Sequence, residues 1–147
     1  MAGSAQAAMF GIRDVAEQTG LSMETLRWYE REGLVPPVHR GSDGRRRYSA
    51  AEVGFVRLIV CLRRTGMPVA RVREFVTLVR RGASTHGKRM TLLTEQRDRI
   101  LDQMAQLRAD LATVEHKIGH YGELIEAGLD CEGAPVSVRT AELQRRG

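Results

Sequence analysis

Apolar residues recur at steps of three and four along the stretch from Met90 to Ile125. From Leu93 onward the two steps alternate without a slip if Arg97 is counted as one position, which is the pattern of a heptad seam on a single α-helix. At about 1.5 Å per residue, this helix would be about 54 Å long. The residues that we assign to its seam are Leu93, Ile100, Met104, Leu107, Leu111, Val114 and Ile118.

A helix with one narrow apolar stripe needs a partner, because the positions around the stripe carry mostly Glu, Gln, Asp, Arg and Lys. Folding back onto the preceding part of the chain is one alternative, but so long a helix would overshoot a small domain. We therefore predict a homodimer, joined by a coiled coil that is either parallel or antiparallel. This helix sets the fold class as mainly α.

The stretch from Ile12 to Pro37 has the pattern of a helix-turn-helix. Gly20 interrupts the first helix with a residue suited to positive φ, and Ser22 is placed to cap the second helix at its N-terminus. The second helix buries Leu26 and ends before the two prolines. It also carries one cation and two flat rings that suit a phosphate backbone and the edge of a DNA groove, namely Arg27, Trp28 and Tyr29.

A short β-hairpin is predicted after Pro37, because a turn of Gly, Ser and Asp separates His39 and Arg40 from a basic returning strand. Ser49 and Glu52 then fit a capping box, which starts the first of two further helices. The hairpin is the wing of a winged helix-turn-helix. The predicted organisation is a flexible N-terminal arm at 1–9, a DNA-binding domain at 10–82, a dimerisation helix at 83–126 and a disordered tail at 127–147.

The positive charge of the chain is concentrated in its first part. Residues 1–82 contain 14 Lys or Arg against 8 Asp or Glu, whereas residues 83–147 contain 9 against 10. Clustered positive charge favours a nucleic acid partner. No apolar run has the roughly 20 residues needed to span a bilayer, and no signal peptide is visible, so we expect a cytoplasmic protein without a membrane partner.

Three segments carry a resemblance to the MerR family of bacterial transcriptional regulators. They are LRWYEREGLVPP at Leu26–Pro37, RRYS at Arg46–Ser49 and CLRRTGMP at Cys61–Pro68. The similarity extends from about Phe10 to Ile125. It implies a homodimer that binds a palindromic operator of double-stranded DNA within a promoter spacer, and that distorts this DNA so that RNA polymerase can engage.

The resemblance also implies which residues contact DNA. They are Arg27, Trp28 and Tyr29 of the recognition helix and Arg45, Arg46, Arg47 and Tyr48 of the wing. Trp28 stands where many relatives have Tyr. The alternative for Trp28 and Tyr29 is that one or both belong to the hydrophobic core.

The sequence gives less information about the stimulus to which such a regulator would respond. Cys61 lies in a segment similar to the NmlR- and AdhR-like branch of the family, which implies sensing of thiol or aldehyde stress, and the neighbouring Arg63 and Arg64 favour a reactive thiolate. The alternative is that Cys61 is an inert core residue. A metal site at His116, His120 and Cys131 is a weaker alternative, and we predict neither a metal nor a cofactor.

An enzyme is disfavoured, because the chain has no nucleophile motif, no glycine-rich phosphate loop and no paired metal motif. A different class of function remains open beside the regulator. It is a coiled-coil architectural or adaptor protein that binds nucleic acid without switching a promoter.

Overall fold

The computed structural model describes residues 8–147, so most of the predicted N-terminal arm lies outside the described residues. The chain divides into two compact units, one ending at Asp98 and the other covering Arg99–Gly147. The elements, in chain order, are β1 (Met9–Phe10), α1 (Ile12–Thr19), α2 (Met23–Arg31), β2 (His39–Arg40), β3 (Arg46–Ser49), α3 (Ala50–Arg64), α4 (Val69–Arg80), a 3-10 turn (Ala83–Thr85), α5 (His86–Ala127) and α6 (Val138–Gln144).

The helix-turn-helix begins and ends where the sequence predicts. Helix α1 ends at Gly20, which adopts a φ of 74° and donates its N–H to the Ala16 carbonyl at 2.9 Å. The Ser22 hydroxyl accepts the Thr25 N–H at 3.0 Å and so caps α2. These local contacts end α1 and start α2, so that only residues 20–22 separate the two helices.

The predicted wing is present as an antiparallel hairpin, in which His39 pairs with Arg47 and Arg40 pairs with Arg46. A third strand, which the sequence did not indicate, extends the sheet to the order β1-β3-β2. In it Phe10 pairs with Tyr48. Met9 thus belongs to a strand, although the sequence placed it in a flexible arm.

Helix α3 starts with the predicted capping box, since Ser49 N donates to the Glu52 carboxylate at 2.8 Å and Glu52 N donates to the Ser49 hydroxyl at 3.1 Å. Helices α3 and α4 then close the core of the first unit. Its most deeply buried side chains come from helices α1 to α5, from β3 and from the connections after α2 and α3. They are Val15, Leu26, Leu34, Tyr48, Ile59, Met67, Val72 and Gln96.

The N-terminal part of α5 is anchored on this core through Leu92 and Gln96. The Gln96 side chain is 1% exposed, and its amide donates to the Thr65 hydroxyl at 2.9 Å, at the C-terminus of α3. Leu93, which we had assigned to the dimer seam, is half-buried and packs against the same core. The second and third turns of α5 are therefore part of the core of the DNA-binding unit.

The second unit corrects the prediction of a disordered tail. Helix α5 continues through Gly119 and Gly122 to Ala127, and Leu129 then forms an isolated β-bridge with Pro135. The Gln144 amide of α6 donates to the Leu129 carbonyl at 3.0 Å. The sequence analysis looked for helical or strand periodicity and so missed a turn at Asp130, whose carboxylate accepts the Ala134 N–H, and the Ser137 cap of α6. Of these contacts, only the one between Gln144 and Leu129 joins residues that are distant in sequence.

Candidate nucleic-acid interface

Six arginines line one concave surface of the first unit, which we call the arginine groove. It has a volume of about 630 Å³ and lies where α1, the recognition helix α2 and the wing meet. Clustered guanidinium groups bind phosphate through charge and paired N–H donors. The lining residues are Gly11, Ile12, Arg13, Met23, Arg27, Arg40, Gly44, Arg45, Arg46 and Arg47.

The recognition helix presents two of its three predicted contact residues to solvent. Arg27 is exposed, and the Trp28 ring is 37% exposed. Tyr29 is buried, because it lies three positions after Leu26 and so on the core-facing side of α2. The alternative of a core role, which the sequence left open for both rings, therefore describes Tyr29 and not Trp28.

Tyr48 is 1% exposed, so its side chain cannot reach a DNA surface in this conformation, and its prediction as a contact is wrong. Successive side chains of a strand point to opposite faces, so that Arg47 faces outward when Tyr48 faces the core. Among the described residues, the Tyr48 hydroxyl has no hydrogen-bond partner. Burial, followed by the Glu30 carboxylate, raises the pKa of Tyr48 above its usual value.

Arg46 lies on the same face of β3 as Tyr48 and forms an ion pair with Glu30 of α2, with 2.6 Å between Nε and Oε2. Both side chains are largely buried, at 19% and 16% exposure. Arg46 therefore lines the arginine groove with a charge that is already paired, and its predicted role as a free DNA contact is not what this geometry favours.

Asp43 contacts two arginines of the wing at its tip. Its carboxylate accepts the Arg45 N–H at 3.0 Å and lies 3.3 Å from an Arg47 guanidinium nitrogen. The Arg45 N–H is the main cause that lowers the pKa of Asp43; burial opposes it, and the two arginine charges add to it. Arg45 and Arg47 thereby stay close together at the surface, which suits a phosphate backbone.

Sequence reasoning missed Arg13 and Arg40 as members of this surface. Arg40 lies on β2 directly opposite Arg46, and its guanidinium donates to the Gly44 carbonyl at 3.1 Å. The hairpin register could have indicated Arg40, because it follows from the turn. Arg13 joins the groove only through the packing of α1 beside α2.

The two cysteines of the chain carry free thiols, and Cys61 is half-buried whereas Cys131 is exposed. The Arg63 guanidinium, which we expected beside the Cys61 thiol, donates to the Met67 carbonyl at 2.9 Å. Within residues 8–147 no group of three His, Cys, Asp or Glu side chains is arranged to hold a metal ion. In the same residues no helix is both long and apolar enough to cross a membrane.

A helix-turn-helix, a hairpin wing and a groove of arginines define a winged helix-turn-helix DNA-binding protein. Comparison of the sequence with models of known protein families identifies its family. The model described as MerR HTH family regulatory protein matches residues 10–78, and the one described as MerR, DNA binding matches residues 55–117. The chain belongs to the MerR family of DNA-binding transcriptional regulators, as its sequence motifs predicted.

Individual relatives agree with this placement. The chain is 37% identical to the HTH-type transcriptional regulator AdhR of Bacillus subtilis over 62% of its own length and 65% of the length of AdhR. An HTH-type transcriptional regulator of Haemophilus influenzae is 34% identical over 72% of this chain and 78% of that protein.

Solved structures of the family share the fold. HiNmlR, described as a MerR family regulator lacking the sensor domain, bound to promoter DNA, superimposes with a TM-score of 0.75 at 30% identity. The match covers 82% of this chain and 96% of HiNmlR. A MerR family regulator from Listeria monocytogenes also gives 0.75, at 31% identity, over 80% of this chain and 90% of that one.

Proposed function

We propose that this protein acts as a homodimer that binds an inverted-repeat operator within a promoter and switches transcription by distorting the spacer DNA. The arginine groove carries the proposal, since it joins the recognition helix and the wing in one basic surface. The likeness to a structure of HiNmlR bound to promoter DNA supports it. RNA polymerase is the partner whose access to the promoter would change.

Dimerisation is supported by the uncovered apolar side chains of α5 in the second unit. A soluble helix that exposes large aliphatic groups at heptad spacing gains free energy when a second helix covers them. Five residues of the predicted seam are exposed in this way, namely Met104, Leu107, Leu111, Val114 and Ile118, and Leu101 and Tyr121 are exposed beside them. Two recognition helices held by one coiled coil would contact two half-sites at a set separation.

The contacts to DNA divide by their chemistry. Arg27 and Trp28 are exposed on the recognition helix, and we propose that they enter the major groove, where Arg can read guanine. Arg45 and Arg47 of the wing line one surface with Arg13 of α1, and we propose that these three residues bind the phosphate backbone. The buried Tyr29 and Tyr48 would support this surface from the core.

The stimulus that we propose is a thiol-reactive or aldehyde stress sensed through Cys61. The likeness to AdhR and HiNmlR motivates this proposal. The Cys61 carbonyl accepts the Thr65 hydroxyl at 2.8 Å, and Thr65 in turn accepts the Gln96 amide of α5. A modified Cys61 could thus alter how α5 is anchored on the DNA-binding unit.

Fluorescence anisotropy with labelled duplexes tests the core of the proposal. One duplex carries the DNA upstream of the gene, and the other is a scrambled duplex of equal length and composition, both at roughly 0.15 M ionic strength. We expect a preference on the order of 10³-fold or more for the upstream DNA. Equal affinity for the two duplexes would instead support an architectural or adaptor protein.

In-vitro transcription tests the switching step. A promoter with its natural spacer should respond to the protein, whereas a promoter with the spacer shortened to the optimum for RNA polymerase should be active without it. Activation of both promoters to the same degree would contradict the distortion mechanism.

A further inference from the structure

Glu30 is an acidic residue on the recognition helix of a basic DNA-binding surface. Its carboxylate accepts the Arg46 Nε–H of the wing at 2.6 Å through Oε2, and the Val38 N–H of the linker at 3.4 Å through Oε1. One side chain thus joins α2, the segment that follows it and the returning strand of the wing.

This ion pair lies at the point where the wing leaves the core. Residues 42–45 of the wing are exposed, Arg46 is the next residue along β3, and Tyr48 two positions later is fully buried. The base of the wing is held by Tyr48 in the core and by the pairing of β3 with β1. Arg46 with Glu30 extends that attachment toward the exposed tip and directs it onto the recognition helix.

We propose that Glu30 is a positioning residue for DNA recognition, which holds the wing at a set distance from α2 through Arg46 and Val38. Arg27 of α2 and Arg47 of the wing then meet the DNA as one preorganised surface. The inference rests on the proposed function, because it requires that this chain binds operator DNA through the arginine groove. Ordering the wing before binding lowers the entropy cost of binding.

The positioning role of Glu30 can be distinguished from a simple effect of its charge, because the two accounts predict opposite changes in operator affinity when Glu30 is replaced. Replacing Glu30 by Gln removes a negative charge beside the groove, so a purely Coulombic account predicts tighter binding to every DNA. The positioning account predicts weaker binding to the operator, because the wing is released, and unchanged or tighter binding to scrambled DNA. The measured quantity is therefore the ratio of the two affinities.

The experiment compares Glu30→Gln with a matched control, Glu24→Gln, which makes the same charge change at an exposed site on the same helix. Anisotropy titrations use operator and scrambled duplexes over a series of salt concentrations. We expect Glu30→Gln to reduce the affinity ratio by about tenfold or more, with a steeper salt dependence because Arg46 is freed to bind phosphate. Glu24→Gln should leave the ratio within about twofold of wild type.

A second variant tests whether a loss of operator preference in Glu30→Gln comes only from misfolding. Removing one member of a buried ion pair leaves an uncompensated charge, whereas replacing both members is often tolerated. Glu30→Gln/Arg46→Met has no such charge and should fold with a wild-type circular dichroism spectrum while showing the same loss of operator preference. A wild-type affinity ratio in this folded double variant overturns the positioning role.

The same titrations distinguish a failure of the proposed function from a failure of the role proposed for Glu30. If the wild-type protein bound operator and scrambled DNA equally, the regulator itself would be in doubt before any variant was compared. If the wild type discriminated strongly and Glu30→Gln discriminated equally well, only the role of Glu30 would be wrong.

Discussion

Leu107 lies in the middle of the exposed seam of α5, and its replacement by Asp tests the dimer directly. Its side chain is 67% exposed in the single chain, so most of it is available for contact with a second copy. We expect Leu107→Asp to convert a stable dimer into monomers. Binding to an operator with two half-sites should weaken in parallel, because each recognition helix would then bind alone.

The magnitude follows from the burial of Leu107. Covering a leucine side chain fully is worth about 1.5–3 kcal/mol, so covering two-thirds of it is worth about 1–2 kcal/mol in each protomer. Both protomers lose this contact, and the two new carboxylates must also be desolvated. The dimer should weaken by at least about 2–4 kcal/mol, which raises its dissociation constant by about 30- to 1,000-fold.

Sedimentation velocity over a dilution series measures this change against the chain mass of 16.4 kDa. The matched control is Ala109→Asp, which adds the same charge at an exposed position about 200° around α5 from Leu107. The control should remain a dimer of twice the chain mass. A Leu107→Asp protein that dimerises as tightly as the control would refute the seam.

Three further substitutions test separate parts of the molecule. Arg27→Ala should lower operator affinity by about 1–3 kcal/mol in anisotropy titrations if Arg27 contacts a base; unchanged affinity would remove it from the interface. Tyr48→Phe should leave the free energy of unfolding unchanged or raise it by about 1–3 kcal/mol in denaturant titrations at neutral pH, because the buried hydroxyl lacks a partner among the described residues. Since the folded-state pKa of Tyr48 is raised, wild-type stability should also fall as pH rises above the usual value of 10.0, and this fall should be smaller in Tyr48→Phe. Cys61→Ser should abolish a reporter response to aldehydes, with Cys131→Ser as the control; an intact response would assign Cys61 to packing alone.

Local patterns in the sequence determined most of the secondary structure. Gly20, the Ser22 cap and the capping box of Ser49 each involve a partner no more than four residues away, so their effects can be predicted without knowing the fold. The heptad spacing similarly predicted one long helix, and α5 confirms it with 42 residues. The family motifs predicted the fold class, because each motif lies in one contiguous segment and can be recognised without knowing the fold.

The tertiary structure alone decided which of the predicted contact residues remain at the surface. Strand alternation requires Arg47 and Tyr48 to point to opposite faces of β3, but only the packing of β3 in the folded chain made the face of Tyr48 the buried one. Arg46 is drawn into an ion pair with Glu30, which lies 16 positions away in the chain. The Gln144 amide likewise donates to the Leu129 carbonyl, 15 positions away in the chain. Burial and pairing of this kind arise from three-dimensional proximity, which residue spacing along one helix or strand does not encode.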